Sequence, residues 1–569
     1  MNASASSKNP LTLVIVGGVA GGASAATRAR RMDEHARIIL YEKDEHASFA
    51  NCGLPYYIGG EITDRSKLIV AKPELFRDRF NIELHTRHEV TAINRREKTV
   101  TVLDRNKGIT FTQKYDKLIL SPGASPVVPS LRGVESSNVF SLRNLADTDR
   151  IFAAVNARSD GHAVVIGAGF IGLEMVEMLH RRGMKVTLVE LQKQVLPPLD
   201  PEMASRVEQE LIRNGVKVHL GAGLAGFETS GGNVSKVILS DETKLDADLV
   251  ILGIGVKPNV KLAQEAGLAL GRTGGIVVNE YLQTSDPDIY AAGDAVEYRH
   301  GVSGLQQRIP LAGPANRAGR LAGQHAVCGQ SRPMAPVLGT AIVRVFETTA
   351  ALTGLTQKTA DPAHSRAIWV TTNHHAGYYP GAKPLNLKLI YDTRDSRVLG
   401  AQAVGAQGVD KRMDVIATAI QLKATVYDLT ELDLAYAPPF GSAKDPIHMA
   451  AFAACNDLDG LMTTVRPDVD FENMQVVDVR TAKEFAELSF PGTINIPVDE
   501  LRQRIGELDP KKETIVTCAS GVRSYVAARI LEQHGFSTVL ELTGGASVRS
   551  HTGQPVKRGK EEVPPPCRA

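Results

Sequence analysis

The sequence predicts an α/β fold, and three observations carry that prediction. Leu11–Val16 is an apolar run of strand length, followed by Gly-Gly-Val-Ala-Gly-Gly at 17–22, an alanine-rich helical stretch, and a second apolar run, Ile38–Tyr41, ending at Glu42. The same order returns as Ala163–Ile166, Gly-Ala-Gly-Phe-Ile-Gly at 167–172, a helix through His180, and Val186–Val189 ending at Glu190. Near the C-terminus a third such strand, Glu513–Thr517, runs into Cys518-Ala-Ser-Gly-Val-Arg-Ser524 and a further helix. Strand, tight loop and helix in repeated succession build parallel sheets with helices on their faces.

Composition sets the outer bounds. The chain has 569 residues, room for about four compact units at roughly 150 residues each. Hydrophobic residues make up 43% and charged residues 22%, ordinary for globular protein and far from disordered or collagen-like composition. The net charge is +2 with no long basic run, which argues against a nucleic-acid partner. The cysteines at 52, 328, 455, 518 and 567 are too few for a disulfide framework and too widely spaced for a zinc site, so no metal is expected. Free thiols make a reducing cytoplasm the default compartment. The apolar stretch Leu11–Ala26 contains four glycines, with Arg28, Arg30 and Arg31 at once behind it. It therefore reads as a folded segment rather than a signal peptide or membrane span.

The two glycine loops have separable physical requirements. One glycine permits the tight turn, one lets the backbone approach a pyrophosphate, and one lets helix and strand pack closely. The helix N-terminus then offers unpaired N–H groups to phosphate. In each copy an acidic residue, Glu42 or Glu190, lies about 20 residues beyond the last glycine, placed to accept a ribose 2′-hydroxyl. A 2′-phosphate would be repelled by Glu190, so NADH is expected over NADPH at the second unit. The first copy departs from the pattern at Val19. A further echo supports the duplication: Ile119-Leu-Ser-Pro-Gly-Ala-Ser-Pro126 parallels Ile251-Leu-Gly-Ile-Gly-Val-Lys-Pro258.

Thr284–Ala295 reads as a strand ending in Gly293-Asp294 at a helix start. Alone, Asp294 is an N-cap. With two nucleotide units before it, the arrangement resembles the two-dinucleotide flavoprotein disulfide reductases over roughly residues 10–450. That resemblance implies FAD on the first unit, held by Gly17, Val19, Ala20, Gly21, Glu42, Lys43, Asp294 and Ala295. It implies NAD(P)H on the second, held by Gly167, Gly169, Phe170, Ile171, Gly172, Glu190 and Gly255.

Ser48-Phe-Ala-Asn-Cys-Gly-Leu-Pro-Tyr-Tyr-Ile-Gly-Gly60 carries one cysteine, and no second thiol precedes Cys328. A disulfide at Cys52 must then form with a substrate, a distant residue or another chain. A thiol near pKa ~8.5 is only a few per cent thiolate at pH 7. Lowering it to ~5 needs about 5 kcal/mol, of which a helix N-terminus supplies at most ~2. Hydrogen bonds, cations or a flavin must supply the rest. The segment resembles the single-cysteine branch, coenzyme A disulfide reductases above all. On that resemblance Arg28 and Arg31 contact CoA phosphate, Ser48 and Asn51 line the substrate site, and Asn316 approaches the thiol. Tyr378 and Tyr436 resemble the two tyrosines that reach the partner subunit's cysteine, which implies a homodimer. His374, His375 and His448 receive no role.

After Asn456 a short polar linker leads to Gln475-Val-Val-Asp-Val-Arg480, Pro491-Gly-Thr-Ile-Asn-Ile-Pro497, the Cys518 loop and Leu542-Thr-Gly-Gly545. A cysteine on a strand-to-helix loop is cradled by successive N–H groups suited to a thiolate or persulfide. Gly521 permits the curl, and Arg523 adds positive charge at the substrate side. In this order the motifs resemble a rhodanese domain. The resemblance departs at Ser489-Phe490, where a histidine is usual, and in having no tryptophan after Gly545.

The full expectation is two Rossmann-type dinucleotide-binding domains, an α+β dimerisation domain and a C-terminal α/β rhodanese domain. Its bounds are 10–150 with 270–330 for FAD, 151–269 for NAD(P)H, 331–455 for dimerisation, 456–470 as linker, 471–550 for the rhodanese unit and 551–569 as a disordered tail. Such fusions resemble coenzyme A disulfide reductase–rhodanese proteins and NADH-dependent persulfide reductases. The expected chemistry is FAD-dependent reduction of CoA persulfide, polysulfide or a related substrate through Cys52, with Cys518 delivering sulfur. CoA disulfide reduction, NADH oxidase or peroxidase chemistry, and sulfur transfer with a redox-sensing flavin half are the alternatives.

Overall fold

The computed structural model describes residues 10–559 and the backbone of 561–563. Two parallel sheets form its centre. In the first, Thr12–Val16 lies between Lys117–Leu120 and Arg37–Tyr41, with Ile289–Ala291 and Glu83–His85 at the edges. In the second, His162–Ile166 lies between Lys185–Glu190 and Leu249–Leu252, flanked by Lys217–Leu220 and Val139–Phe140. Leu13, Val14, Ile15, Val164 and Val165 are fully buried, as expected of strands covered on both faces.

The duplication extends further than the glycine loops. Each sheet carries its own three-stranded antiparallel meander, His88–Asn94, Thr99–Asp104 and Ile109–Lys114 in the first copy, and Leu224–Ser230, Asn233–Leu239 and Lys244–Asp246 in the second. The two echoing segments meet: Ala124–Pro126 pairs antiparallel with Val256–Pro258, Ala124 opposite Pro258. The chain thus leaves the first lobe and returns to it at one place. Val139–Phe140 joins the second sheet, so the crossing lies before residue 139 and the return before 270.

Ala312–Cys328 crosses the first helix, Ala20–Met32, at backbone contact. A Cβ on Gly319 would come within 2.0 Å of the Gly21 carbonyl oxygen, and one on Gly323 within 2.2 Å of that of Ala25. Only glycine allows that approach, and it fixes the helix bearing Asn316 over the first glycine loop.

A five-stranded antiparallel sheet follows, ordered Ala341–Val345, Thr348–Gly354, Val398–Gly405, Pro384–Asp392, Ser365–Asn373. The C-terminal sheet is parallel, ordered Thr463–Val465, Val539–Leu542, Thr514–Thr517, Gln475–Asp478, Thr493–Asn495. Three boundaries differ from expectation, the first being the crossing into the second lobe, which lies before residue 139 and not at 150. The 456–470 stretch is no linker: the helix Pro446–Leu458 runs into it and Thr463–Val465 forms an edge of the C-terminal sheet. Nor are 551–558 disordered. His551 approaches Ser205 at 3.4 Å, and Val556–Arg558 pairs with Leu488–Ser489. Cys567 lies outside the described residues.

The C-terminal unit is docked rather than tethered. Trp369, the chain's single tryptophan, donates its backbone N–H to Thr543 Oγ1 at 3.1 Å, and its indole N–H to Glu202 at 2.9 Å. Arg206 donates to the Ser547 carbonyl at 2.6 Å, and Thr371 meets the Ser547 hydroxyl at 2.8 Å. Trp369 packs closely on the turn before Gly545, since a Cβ on Gly544 would lie 2.8 Å from that of Trp369.

Candidate active sites

The first glycine loop opens onto a cavity of about 1230 Å³, lined by Gly17, Val19, Ala20, Gly21, Lys43, Ser48, Asn51, Cys52, Asp294 and Asn316 among others. The loop is built by close approach: a Cβ on Gly22 would sit 1.7 Å from the Gly17 carbonyl oxygen. Buried Glu42 accepts the Gly18 N–H at 2.8 Å and that of Asp44 at 2.9 Å, one on each carboxylate oxygen. Ala295 is fully buried beside Asp294. A cavity of this size, floored by glycines that admit no side chain and bounded by an acidic residue at the strand end, fits FAD.

The second loop repeats the design. A Cβ on Gly172 would meet the Gly167 carbonyl at 1.9 Å. Glu190 takes the N–H groups of Ala168 and Gln192 at 2.7 and 2.8 Å. Gly169 is the N-cap of the helix Phe170–Arg181, leaving Phe170 and Ile171 in its first turn, and Gly255 has φ +103°. These residues fit a pyridine dinucleotide. Both acidic side chains also clamp their own glycine loops, a task the spacing rule does not describe.

Cys52 lies in a single turn, Asn51–Gly53, ahead of the five-residue helix Leu54–Ile58. It opens to the cavity, yet the surrounding walls desolvate its thiol. Desolvation, with the nearby carboxylates of Glu174 and Asp294, pushes this thiol above its ordinary pKa. Neither the short helix nor the neighbouring charges of the protein alone favour a thiolate here. Among the described residues every cysteine is a free thiol. Asn51, with its amide turned to satisfy both contacts, donates to the Arg143 carbonyl at 2.9 Å and accepts from Arg143 Nη1 at 3.0 Å. Arg143 lies 3.8 Å from Asp294. Asn316 accepts from Ser24 Oγ at 2.6 Å, tying the two crossed helices together.

Two residues here escaped the sequence reading. Arg143 bridges Asn51 and Asp294, 92 and 151 positions away in sequence. Glu174, from the second lobe's helix, accepts from Tyr56 Oη at 3.2 Å. Burial, assisted by Glu177, pushes its carboxyl up to about 7. Glu174 acts on Cys52 by its charge and by its contact with Tyr56, and no local sequence signal marks it.

Arg28 and Arg31 lie on the first helix, one turn apart. Arg28 donates to Gln324 Oε1, and burial followed by the charges of Arg320 and Arg31 lowers its pKa. Three guanidinium groups that disfavour one another form an anion-seeking patch. Tyr378 and Tyr436 place their hydroxyls 3.0 Å apart on an exposed face that also presents Tyr379 and Phe440.

In the C-terminal unit, Cys518 is buried at the end of Thr514–Thr517. Its Sγ accepts the Gly521 N–H at 3.1 Å and lies 3.4 Å from Ser524 Oγ. Gly521 takes φ +115°, a conformation that needs glycine. Arg523 forms a two-pronged pair with Glu484 at 2.7 and 2.8 Å. That pair holds the Glu484 carboxyl down at about 2, so the positive charge expected of Arg523 is largely neutralised within the protein. Among the described residues no cluster suits a metal ion, and no helix is long and apolar enough to cross a membrane.

Two nucleotide lobes converging on a cavity with one unpaired thiol define an oxidoreductase. The sequence matches the family described as pyridine nucleotide-disulphide oxidoreductase over residues 11–319, that family's dimerisation domain over 340–446 and the rhodanese-like domain over 463–548. It is 39% identical over 444 residues to a coenzyme A disulfide reductase of Staphylococcus aureus, covering 78% of this chain and 99% of that protein. Reduced Bacillus anthracis CoADR-RHD superposes with TM-score 0.92 at 45% identity, over 95% of this chain and 98% of that one. A NAD-dependent persulfide reductase from A. fulgidus does so with TM-score 0.88 at 37% identity, over 95% and 100%. The chain belongs to the pyridine nucleotide-disulphide oxidoreductase family and carries a C-terminal rhodanese-like domain.

Proposed function

We propose that this protein is an FAD-dependent NADH:persulfide or polysulfide reductase that releases sulfide from CoA persulfide or a related sulfane-sulfur substrate. The observation that carries the reading is the pairing of two different sulfur sites in one chain. Cys52 opens onto the flavin-sized cavity with no neighbouring thiol, and Cys518 sits in an N–H-lined loop. A lone thiol in such a cavity must exchange with an incoming sulfur compound. Cys52 thiolate attacks the outer sulfur of R–S–SH, forming Cys52–S–SH and expelling R–S⁻. Gly17, Val19, Ala20, Gly21, Glu42, Lys43, Asp294 and Ala295 would hold FAD, and the second loop with Glu190 would hold NADH, a pair that would supply the two electrons needed to cleave Cys52–S–SH into the Cys52 thiolate and HS⁻.

Arg28 and Arg31 bind the phosphates of CoA, with Ser48, Asn51 and Asn316 around the thiol. In a homodimer, Tyr378 and Tyr436 donate a hydrogen bond or proton to the departing thiolate of the other subunit. Cys518 brings sulfur to the site as a persulfide, with Arg523 positioned beside it.

CoA disulfide reduction is the second reading, favoured by the arginine patch and by a relative that matches only the first three domains. Anaerobic NADH oxidation by the purified yellow protein, comparing CoA persulfide with CoA disulfide at equal concentration, decides between them. A much larger kcat/KM for the persulfide, with sulfide released, supports the proposal; preference for the disulfide overturns it. Rapid aerobic NADH consumption without either substrate points instead to oxidase chemistry. Sulfur transfer with negligible NADH turnover points to a sulfurtransferase.

A further inference from the structure

The Cys518 loop contains a buried carboxyl that none of the chemistry above uses. Glu541 lies on Val539–Leu542, the strand beside the one that delivers Cys518, and is 2% exposed. Among the described residues no cation pairs with it. Its Oε1 meets Ser524 Oγ at 2.6 Å, and that same oxygen of Ser524 is 3.4 Å from Cys518 Sγ and 2.8 Å from the Gly521 carbonyl.

A serine hydroxyl has one proton to donate. While Glu541 is ionised it is the strongest acceptor in reach, so Ser524 donates to it and faces the sulfur only with lone pairs. When Glu541 holds a proton, the carboxyl becomes the donor to Ser524 Oγ. The hydroxyl proton is then free to leave the Gly521 carbonyl for the sulfur once the sulfur is charged, joining the Gly521 N–H in stabilising an anion.

Taking Cys518 as the sulfur-carrying residue, we infer that Glu541 is its proton partner, acting through the Ser524 hydroxyl. The exchange is balanced. Cys518 S–H gives its proton to Ser524, Ser524 gives its own to Glu541, and the products are a thiolate and a neutral carboxylic acid, with no proton released to solvent and no electron moved. Glu541 is a positioning residue, because it reaches the sulfur only through Ser524.

The surroundings suit the exchange. Burial, and Asp457 facing Glu541 from the helix Pro446–Leu458, push the carboxyl up to about 7, against the Ser524 hydrogen bond. Asp457 is itself held by Arg366 at 2.8 Å and by the Tyr391 hydroxyl at 2.7 Å. Arg523, on the helix Val522–Gln533, faces Cys518 but is bridged to Glu484. Ser524 is thus the route by which a proton on Glu541 acts on the sulfur.

The test is the pH profile of Cys518 alkylation by iodoacetamide in the full-length holoenzyme, followed on the Cys518 peptide by mass spectrometry. The wild type should show a plateau, because one proton shared between sulfur and carboxyl leaves a constant thiolate fraction between the pair's two titrations. Glu541→Gln, whose amide cannot titrate but can still donate to Ser524, should abolish the plateau, leaving a single rise of about tenfold per pH unit that climbs above the wild-type rate from neutrality upward, about tenfold within one pH unit. Ser524→Ala, with no hydroxyl left to donate to the sulfur, should also lose the plateau but at a rate lowered about tenfold near neutrality; being a small truncation, it guards against misfolding of the first variant. NADH-driven CoA disulfide reduction at Cys52 checks that both variants are folded. Coincident profiles for the wild type and both variants overturn the inference, as does a plateau that survives in Ser524→Ala. Uptake of one sulfur atom by Cys518 from inorganic polysulfide is measured separately. Its absence defeats the sulfur-delivery role, while the pH profiles still decide the proton partnership.

Discussion

Glu190 accepts the Ala168 N–H at 2.7 Å, so the carboxylate we propose for the coenzyme ribose also braces the second glycine loop. Removing it should do two things at once. Glu190→Ala is expected to lower kcat/KM for NADH by about tenfold, the loss of about 1.4 kcal/mol. NADPH should suffer less, because its 2′-phosphate no longer meets a fixed anion. The ratio of the two kcat/KM values checks this, and an unchanged ratio would count against it.

Glu174 and Asp294 both oppose ionisation of Cys52. Glu174→Gln should therefore raise the alkylation rate of Cys52 in the flavin-free protein several-fold. The gain should be present above about pH 7 and fade below it, since the Glu174 carboxyl titrates near 7 and is neutral in acid. Peptide-resolved alkylation across pH measures it. A gain that is equal at acid and alkaline pH contradicts the assignment.

Trp369 joins three domains: its ring lies 4.3 Å from the Lys388 ammonium, its indole N–H binds Glu202, and its backbone binds Thr543. Trp369→Ala should cost about 3–5 kcal/mol and loosen the rhodanese-like unit from the rest. Denaturant unfolding gives the first quantity. Proteolysis near residues 459–462 reports the second, and Trp369→Phe should recover part of both.

His551 has its pKa lowered to about 3 by burial, with Arg206, Arg558 and Arg213 adding to the effect. A depressed imidazole contributes stability that is fully present above about pH 6.5 and is lost as pH falls toward 3, at about 1.4 kcal/mol per unit. His551→Gln, which cannot take up that proton, should flatten the acid limb. Melting temperatures between neutral pH and pH 4 show whether the slopes differ.

What the sequence disclosed was whatever is local. The loops 17–22 and 167–172, Glu42 and Glu190 follow a spacing of a few to about 20 residues, with a departure at Val19, while Cys52 and the Cys518 turn were legible as short contiguous motifs that resemble known families. The contacts that close the sites are of another kind. Arg143 with Asp294, and Arg523 with Glu484, join residues with no periodic relation. In the two meanders the central strands Thr99–Asp104 and Asn233–Leu239 alternate between buried and less buried residues and were legible in principle, whereas an edge strand such as Ile109–Lys114 is almost wholly exposed and leaves no alternation to read. The tail reads as polar coil because its order comes from partners, Ser205 and Leu488–Ser489, that lie elsewhere in the chain.

The pairing of Ala124–Pro126 with Val256–Pro258 makes the coenzyme lobe a graft on a single stem. Residues 127–255 leave and rejoin at one ribbon, so a short turn from Pro126 to Val256 would close the first sheet without cutting any of its strands. Coenzyme choice is therefore exchangeable as a block, independent of the scaffold that holds Cys52. Glu174 and Arg143 are the exceptions, since both travel with the block yet shape the surroundings of the host's thiol.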